Sequence, residues 1–164
     1  MRTPLVLIAT VLLATGCQTA APVTTNAPDA EATSQAGQTG ARTPDAALRN
    51  TRWVLRQLNS QPVPPPTNAE PYVVLRQDES NAEGNGSCNR FRGTFESAAA
   101  GQLRFGALLS TRMACASPDG NTTETGFMRA LENTRTYRIS GDTLRLFADG
   151  SATPAAVLHA VYLR

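Results

Sequence analysis

The side chains that could do chemistry in this sequence are few: three cysteines, one histidine and no lysine. Cys88 lies in the turn-like stretch GNGSCNRFRGTF, residues 84–95, and Cys115 ends the stretch STRMAC, residues 110–115. A cysteine nucleophile needs a histidine and a third group that orients it. The single histidine, His159, stands among apolar residues in a strand-like segment. We therefore predict that His159 belongs to a strand face and that the protein is not an enzyme.

The small number of cysteine, histidine and lysine side chains also argues against metal and cofactor sites, and the charge pattern argues against a nucleic-acid site. Without lysine there is no Schiff-base chemistry and no phosphate-binding lysine after the glycine-rich run GNG. The paired spacings of zinc sites are absent, and the acidic residues near Asp78 do not follow the spacing of a calcium loop. A net charge of +2 with scattered arginines lacks the basic patch that nucleic acid requires. We expect no metal, no cofactor and no nucleic-acid partner.

The N-terminus, MRTPLVLIATVLLATGC, has the pattern of an export signal. Arg2 precedes an apolar stretch from Leu5 to Leu13, which is followed by small residues and Cys17. The apolar stretch is shorter than the roughly 20 residues that span a bilayer, but it suits a secretory signal. Small residues directly before a cysteine resemble a bacterial lipobox, although Ala14 stands where leucine is commonest. We predict a lipoprotein signal at residues 1–17 with Cys17 lipidated; the alternative is an ordinary secretory signal with an incidental cysteine.

The lipobox resemblance also predicts a location. Several acyl chains give stable membrane anchoring where one chain gives only marginal binding. A triacylated Cys17 would therefore hold the protein at the membrane of the cell envelope. Gln18 takes the place of the aspartate that retains lipoproteins at the inner membrane, so in a Gram-negative cell we expect the outer membrane, facing the periplasm.

Residues 18–47 have the composition of a tether. They are mainly Ala, Thr, Pro, Gln, Gly and Asn, with Val23 as the only large aliphatic residue. Such a segment buries too little apolar surface to offset the entropy of ordering it. About 30 flexible residues span roughly 30 Å on average. We therefore expect a disordered tether before a folded domain at residues 48–164.

Cys88 and Cys115 are expected to form a disulfide. Both follow the export signal and would reach an oxidising compartment, where disulfides persist. Closing a loop of about 27 residues would stabilise the fold by roughly 3 to 4 kcal/mol in the chain-entropy model. Two free buried thiols are the alternative.

The domain has the pattern of a mostly β protein. Segments rich in β-branched, aromatic and aliphatic residues recur at short spacing, at residues 52–58, 72–76, 89–95, 102–108, 136–140, 143–147 and 155–163. The polar stretch QDESNAEGNGS between two of them is predicted to be a loop. Asn121 and Glu124 fit a helix cap and its reciprocal partner, ahead of the helical spacing in GFMRALEN. We predict an α+β fold: a compact antiparallel β-barrel-like domain with one short helix.

The cysteine stretches and the helix together resemble the META domain, the module of HslJ-like heat-shock proteins and of many bacterial lipoproteins. The resemblance covers about residues 49–163. The residues that carry it are Trp53, Gly84, Cys88, Asn89, Phe91, Gly93, Thr111, Arg112, Met113, Ala114, Cys115, Glu124, Phe127 and Leu131.

The resemblance implies an envelope or secreted protein, linked in some family members to heat shock or motility, without an established catalytic residue. From their chemistry we expect the motif residues to be scaffold: Asn89 bonds to backbone in a turn or adopts a left-handed conformation, Gly93 lets a strand bend or bulge, and Arg112 pairs with Glu124 or caps loop carbonyls. Two hypotheses follow. The first is a non-catalytic envelope lipoprotein that binds an unknown envelope protein or ligand, with a role in stress. The second is a ligand-binding or hydrolytic site at the barrel mouth, built from Arg112, Asn89 and Glu124.

Overall fold

The computed structural model of the protein describes residues 44–66 and 69–162. The predicted signal with Cys17, and the predicted tether as far as residue 43, lie outside the described residues. Within them, no helix has the length and apolar character that crossing a bilayer requires.

The described residues form nine strands and one helix. In chain order the strands are β1 (Arg52–Leu58), β2 (Gln61–Pro62), β3 (Tyr72–Leu75), β4 (Asn81–Asn85), β5 (Arg90–Glu96), β6 (Arg104–Ser110), β7 (Thr134–Ser140), β8 (Thr143–Ala148) and β9 (Ala156–Val161). The helix, α1 (Pro118–Glu132), connects β6 to β7.

All strand pairs are antiparallel, and they form one sheet in the order β6-β5-β4-β3-β1-β9-β8-β7, with β2 added beside β1. The sheet curls until its two edge strands meet at one end, where Gln102 pairs with Thr136. Helix α1 packs against β6, β1 and β8. The predicted fold class, a mostly β barrel-like domain with one helix, is confirmed.

The inner face of the curled sheet and one face of α1 form the core. Alternate strand residues point inward because side chains in a strand alternate between its faces. Leu144 and Leu146 are buried in this way on β8, and Trp53 on β1 is fully buried. The indole nitrogen of Trp53 donates to the carbonyl of Leu48 at 2.9 Å, so its one polar group is satisfied.

The predicted loop at residues 77–87 is in part a strand, and the prediction was wrong there. Residues Asn81–Asn85 form β4, which pairs with β3 on one side and β5 on the other. The segment is polar because Asn81 and Glu83 point outward, while the buried residues are the small Ala82 and Gly84 and the polar Asn85. A strand that buries only small or polar side chains has no apolar alternation to detect.

The helix begins earlier than the sequence predicted. Ser117, and not Asn121, is the N-cap: its hydroxyl accepts from the backbone N–H of Gly120 at 3.1 Å, and Pro118 follows at the first helical position. Proline is favoured there because its missing N–H would have no partner in any case. Glu124 therefore lies in the second turn of the helix and is free to bond elsewhere.

The last residues of the predicted tether lie on the domain. The backbone N–H of Ala46 donates to the carbonyl of Gly141 at 3.0 Å, and the N–H of Gly141 donates to the carboxylate of Asp45 at 2.7 Å. The side chain of Ala46 is buried in the core cluster. The carbonyl of Ala47 accepts from the hydroxyl of Thr51 at 2.6 Å. Residues 45–47, at the end of the predicted tether, thus contact the domain.

Removing residues 1–47 is therefore expected to destabilise the domain more than removing residues 1–43. The longer deletion removes the partners of Gly141 and Thr51, and at about 1 kcal/mol for a typical hydrogen bond we expect a difference of roughly 2 kcal/mol. Urea denaturation of the two truncated proteins measures it. Equal midpoints would mean that the contacts of Asp45 and Ala46 contribute nothing. Asp45→Ala, introduced into the protein that lacks residues 1–43, should reproduce part of this loss of stability.

Candidate functional site

Most of the motif residues meet at one end of the curled sheet. The turn at residues 86–89 joins β4 to β5, the loop at residues 111–117 joins β6 to α1, and the second turn of α1 faces both. We call this group of three segments the cysteine junction. A disulfide, a carboxylate and a side-chain amide hold the three segments together.

Cys88 and Cys115 are bonded to each other, with Cα atoms 5.4 Å apart. The bond ties the turn before β5 to the loop before α1. The structure thus brings together the two cysteines that the sequence predicted to pair.

The carboxylate of Glu124 binds the turn. Its Oε2 accepts from the backbone N–H groups of Cys88 at 2.9 Å and Asn89 at 2.7 Å, and its Oε1 accepts from the side-chain amide of Asn89 at 2.7 Å. Hydrogen bonds to an ionised group are stronger than neutral ones. Glu124 therefore satisfies two backbone N–H groups of a turn whose residues are buried. Its predicted role as a helix-cap partner, and its predicted pairing with Arg112, are not found.

The side-chain amide of Asn89 binds the loop on the other side. Its nitrogen donates to the carbonyl of Met113 at 3.1 Å as well as to Glu124. Its oxygen accepts from the N–H of Met113 at 2.7 Å and from the hydroxyl of Thr111 at 2.8 Å. Both amide hydrogens and both acceptor positions are used, so the hydrogen-bonding capacity of this buried side chain is filled.

Gly86 in the turn and Gly84 in the strand before it have no room for a side chain. A Cβ on Gly86 would lie 2.7 Å from Cγ of Glu124, and one on Gly84 would lie 2.0 Å from the carbonyl oxygen of Tyr72. Both distances are shorter than real Cβ contacts. Ser87, which lies between Gly86 and Cys88, has a φ of 147°, which L residues rarely adopt. Its N–H is held by the side-chain oxygen of Asn85 at 2.9 Å.

The apolar motif residues lie in the core beneath the cysteine junction. The rings of Phe91 and Phe127 meet edge to face, with centroids 6.2 Å apart and planes at 78°. Trp53 and Leu131 are fully buried. Gly93 lies where the pairing of β5 with β6 shifts register, as expected for a residue that lets the strand bend.

Arg112 and Met113 are the exposed members of the motif. Arg112 is solvent-exposed, and none of the described carboxylates lies within ion-pair distance of it. Met113 is 62% exposed, although its backbone is bound by Asn89. The three residues of the second hypothesis therefore do not converge on an open pocket. Asn89 and Glu124 bond to each other and to the backbone of the junction.

One group among the described residues brings three potential metal ligands together. The ligand atoms of Cys88, Cys115 and Glu124 lie within 4.8 Å of one another. The two sulfurs are bonded to each other, and the carboxylate already accepts three hydrogen bonds. In this state the group is structural. His159 lies elsewhere, exposed on β9, where it pairs with Val54 and Thr143.

Sequence reasoning missed several junction residues. Ser117 could have been found from the Ser-Pro pair, because serine before a proline is typical of a helix start. No sequence signal marked Gly86 or Ser87. Gly86 is required because the carboxylate of Glu124 packs against it, and Ser87 lies in a turn that is buried only in the folded protein.

The comparisons with known proteins agree with this geometry. A family model, the META domain, matches residues 46–159. An NMR structure of a protein from Burkholderia xenovorans is similar at 25% identity with a TM-score of 0.55, over 71% of this chain and 85% of that chain. A second NMR structure has 24% identity and a TM-score of 0.54, over 68% of this chain and 89% of that chain, and shows the fold alone. No curated protein matches the chain significantly.

Proposed function

This chain belongs to the META domain family, and from that premise we propose that it is a lipid-anchored protein of the cell envelope whose domain acts by binding and not by catalysis. The proposed anchor is Cys17. The proposed binding partner is another component of the envelope, and the proposed setting is stress on that compartment, as in HslJ-like proteins.

The observation that carries the proposal is the order of segments along the chain. An export-type apolar stretch runs straight into small residues and Cys17, and a segment of tether composition separates that cysteine from the domain. A tether with a mean span of roughly 30 Å lets a domain reach components around its point of attachment.

The disulfide supports an extracytoplasmic location. Disulfides form and persist in oxidising compartments and are rare in the cytoplasm of mesophiles. The bond between Cys88 and Cys115 joins two segments that are both needed to bury the motif. A protein that depends on this bond would be unsuited to a reducing compartment.

The hydrogen bonds made by the motif side chains favour a binding role over a catalytic one. Glu124 supplies the carboxylate of the junction and Asn89 its side-chain amide. Their hydrogen bonds go to each other and to backbone groups. A catalytic group must reach a reacting atom of the substrate with its polar end. What the junction leaves exposed is a surface that includes Arg112 and Met113, which suits contact with a partner.

The anchor is tested by labelling cells with a palmitate analogue. We expect label on the wild-type protein and none on Cys17→Ser, because acylation at the lipobox cysteine requires its thiol. Cys88→Ser with Cys115→Ser is the matched control: it also removes cysteines and should keep the label. An unlabelled wild-type protein would refute the anchor, and a labelled Cys17→Ser variant would assign the lipid to another site.

A further inference from the structure

One outward surface of the domain combines apolar and cationic side chains. Leu109 on β6 lies opposite Arg92 on β5. Two positions further along, Thr111 lies beside Arg90, and its N–H donates to the carbonyl of Arg90 at 3.0 Å. The loop continues into Arg112 and Met113. We call the surface formed by Arg90, Arg92, Leu109, Arg112 and Met113 the arginine–leucine face.

The apolar part of this face is unusually exposed. Leu109 is 72% exposed and Met113 is 62% exposed. Tyr162 is the remaining large apolar side chain with high exposure among the described residues, and its hydroxyl donates to Asp142 at 2.6 Å. Single exposed apolar residues are normal. Two such residues four positions apart in one exposed segment are more consistent with a contact surface.

The three arginines of the face form no ion pair with a described residue, although Glu83 lies opposite Arg92 in the sheet. None of the described carboxylates lies within 4.0 Å of the guanidinium groups of Arg90, Arg92 or Arg112. Glu83, which neighbours Arg92 across β4 and β5, is paired with Arg76. Three arginines therefore leave an unbalanced positive charge around the two apolar side chains.

A groove runs beside the exposed leucine. It has a volume of about 540 Å³, and its lining includes Tyr72, Glu83, Arg90, Arg92, Leu109 and Thr111, so two guanidinium groups face one carboxylate there. Its walls carry two guanidinium groups, which bind phosphate oxygens in a bidentate manner. The groove is large enough for a charged headgroup. Asp78, Glu79 and Glu83 line an adjacent groove that shares Arg92 and Leu109 with this one, so the positive charge is concentrated on the side of Arg90.

We propose that the arginine–leucine face docks against the anionic surface of a bilayer. Leu109 and Met113 enter the interfacial region, and Arg90, Arg92 and Arg112 lie at the level of the lipid phosphates. Arginine suits this position because its apolar stem can lie along apolar surface while its charged end stays at the headgroups. Each basic residue near an anionic membrane surface contributes attraction that salt weakens.

A bilayer fits this face better than an acidic protein does. The two apolar side chains protrude from the surface, and a folded partner would need a matching cavity for each. A bilayer interface accepts protruding apolar groups without such a cavity. The inference rests on the proposed function in one respect: the lipid at Cys17 would hold the domain near a membrane, where even weak docking becomes effective through local concentration.

The test uses the protein from residue 18 onward, which lacks both the signal and the lipidated cysteine but contains the tether and the domain. Co-flotation is measured with vesicles of phosphatidylcholine alone and with phosphatidylglycerol added. We expect binding that requires phosphatidylglycerol and weakens with salt. Arg90→Gln with Arg92→Gln should weaken the affinity roughly 25-fold, taking about fivefold for each basic residue. Leu109→Ser with Met113→Ser should also weaken it.

The matched control is Arg138→Gln with Arg145→Gln, which removes the same charge from β7 and β8 at the other edge of the sheet. Its affinity should stay close to that of the unsubstituted protein, and thermal unfolding checks that each variant is folded. The proposal is overturned if the unsubstituted protein ignores anionic vesicles, if the control loses as much affinity, or if soluble polyglutamate binds while vesicles do not. Because the tested protein cannot be acylated, vesicle binding and palmitate labelling can fail independently.

Discussion

Glu124→Ala is expected to lower the free energy of unfolding by about 3 to 5 kcal/mol, because it leaves buried donors without an acceptor. Two of these donors are the backbone N–H groups of Cys88 and Asn89, and the third is the side-chain amide of Asn89. Domains of this size are stable by only about 5 to 15 kcal/mol. The loss would be visible as a large shift of the urea midpoint.

Two variants make the expectation specific. Glu124→Gln keeps an oxygen for the backbone donors but turns an N–H₂ group toward the amide nitrogen of Asn89, so we expect a smaller loss of roughly 1 to 2 kcal/mol. Glu132→Ala removes an exposed glutamate at the end of the same helix and should change stability by less than about 0.5 kcal/mol. Hydrogen exchange at the amides of Cys88 and Asn89 should accelerate in Glu124→Ala. A variant that keeps both the midpoint and the slow exchange would refute the proposed role of this carboxylate.

Removing the disulfide is expected to cost about 3.5 kcal/mol, from the chain-entropy estimate for a separation of 27 residues. In a domain of this size the melting temperature should fall by roughly 10 to 20 °C. Cys88→Ala with Cys115→Ala is the variant, and the reduced wild-type protein is the second route to the same state. Thermal unfolding of the oxidised, reduced and substituted proteins gives the comparison. Equal melting temperatures for the oxidised and reduced forms would contradict the expectation.

The disulfide and Asn89 are expected to be coupled, since both hold the loop after β6 to the turn before β5. Asn89→Ala should therefore cost more in the protein without the disulfide than in the oxidised protein. The two changes lie in one network, where free energies are not additive. A double-mutant cycle measures the difference, and strict additivity would mean that the loop is held independently at its two ends.

The sequence predicted the fold class because most of the strands carry the alternating pattern that a curled sheet imposes. Leu144 and Leu146 on β8 are examples, and both point into the core. It missed β4 because the residues that this strand buries, Ala82, Gly84 and Asn85, are small or polar. It placed the helix start too late because Asn121 and Glu124 satisfied a local rule that Ser117 and Pro118 satisfy better.

The candidate site was predicted as a set of residues but not as an arrangement. Cys88 and Cys115 could be paired from their number and from the export signal. The role of Glu124 could not be found in this way, because its donors lie 35 and 36 positions earlier in the chain. No local spacing rule connects residues at that distance. The sequence also did not predict the exposure of Leu109 on β6 and of Met113 in the loop that follows, since apolar residues are ordinarily expected to face the core.

By itself the sequence determined the class of the fold, the family, and the identity of the cysteines, Asn89 and Glu124 of the cysteine junction. These follow from composition, periodicity and motif, which are local properties of the chain. Only the tertiary structure decided that Glu124 and Asn89 bond to each other and to the backbone, and that the arginines near Leu109 form no ion pair within the described part of the chain. Both outcomes depend on which strands become neighbours in the sheet, and that pairing is set by packing of the whole core.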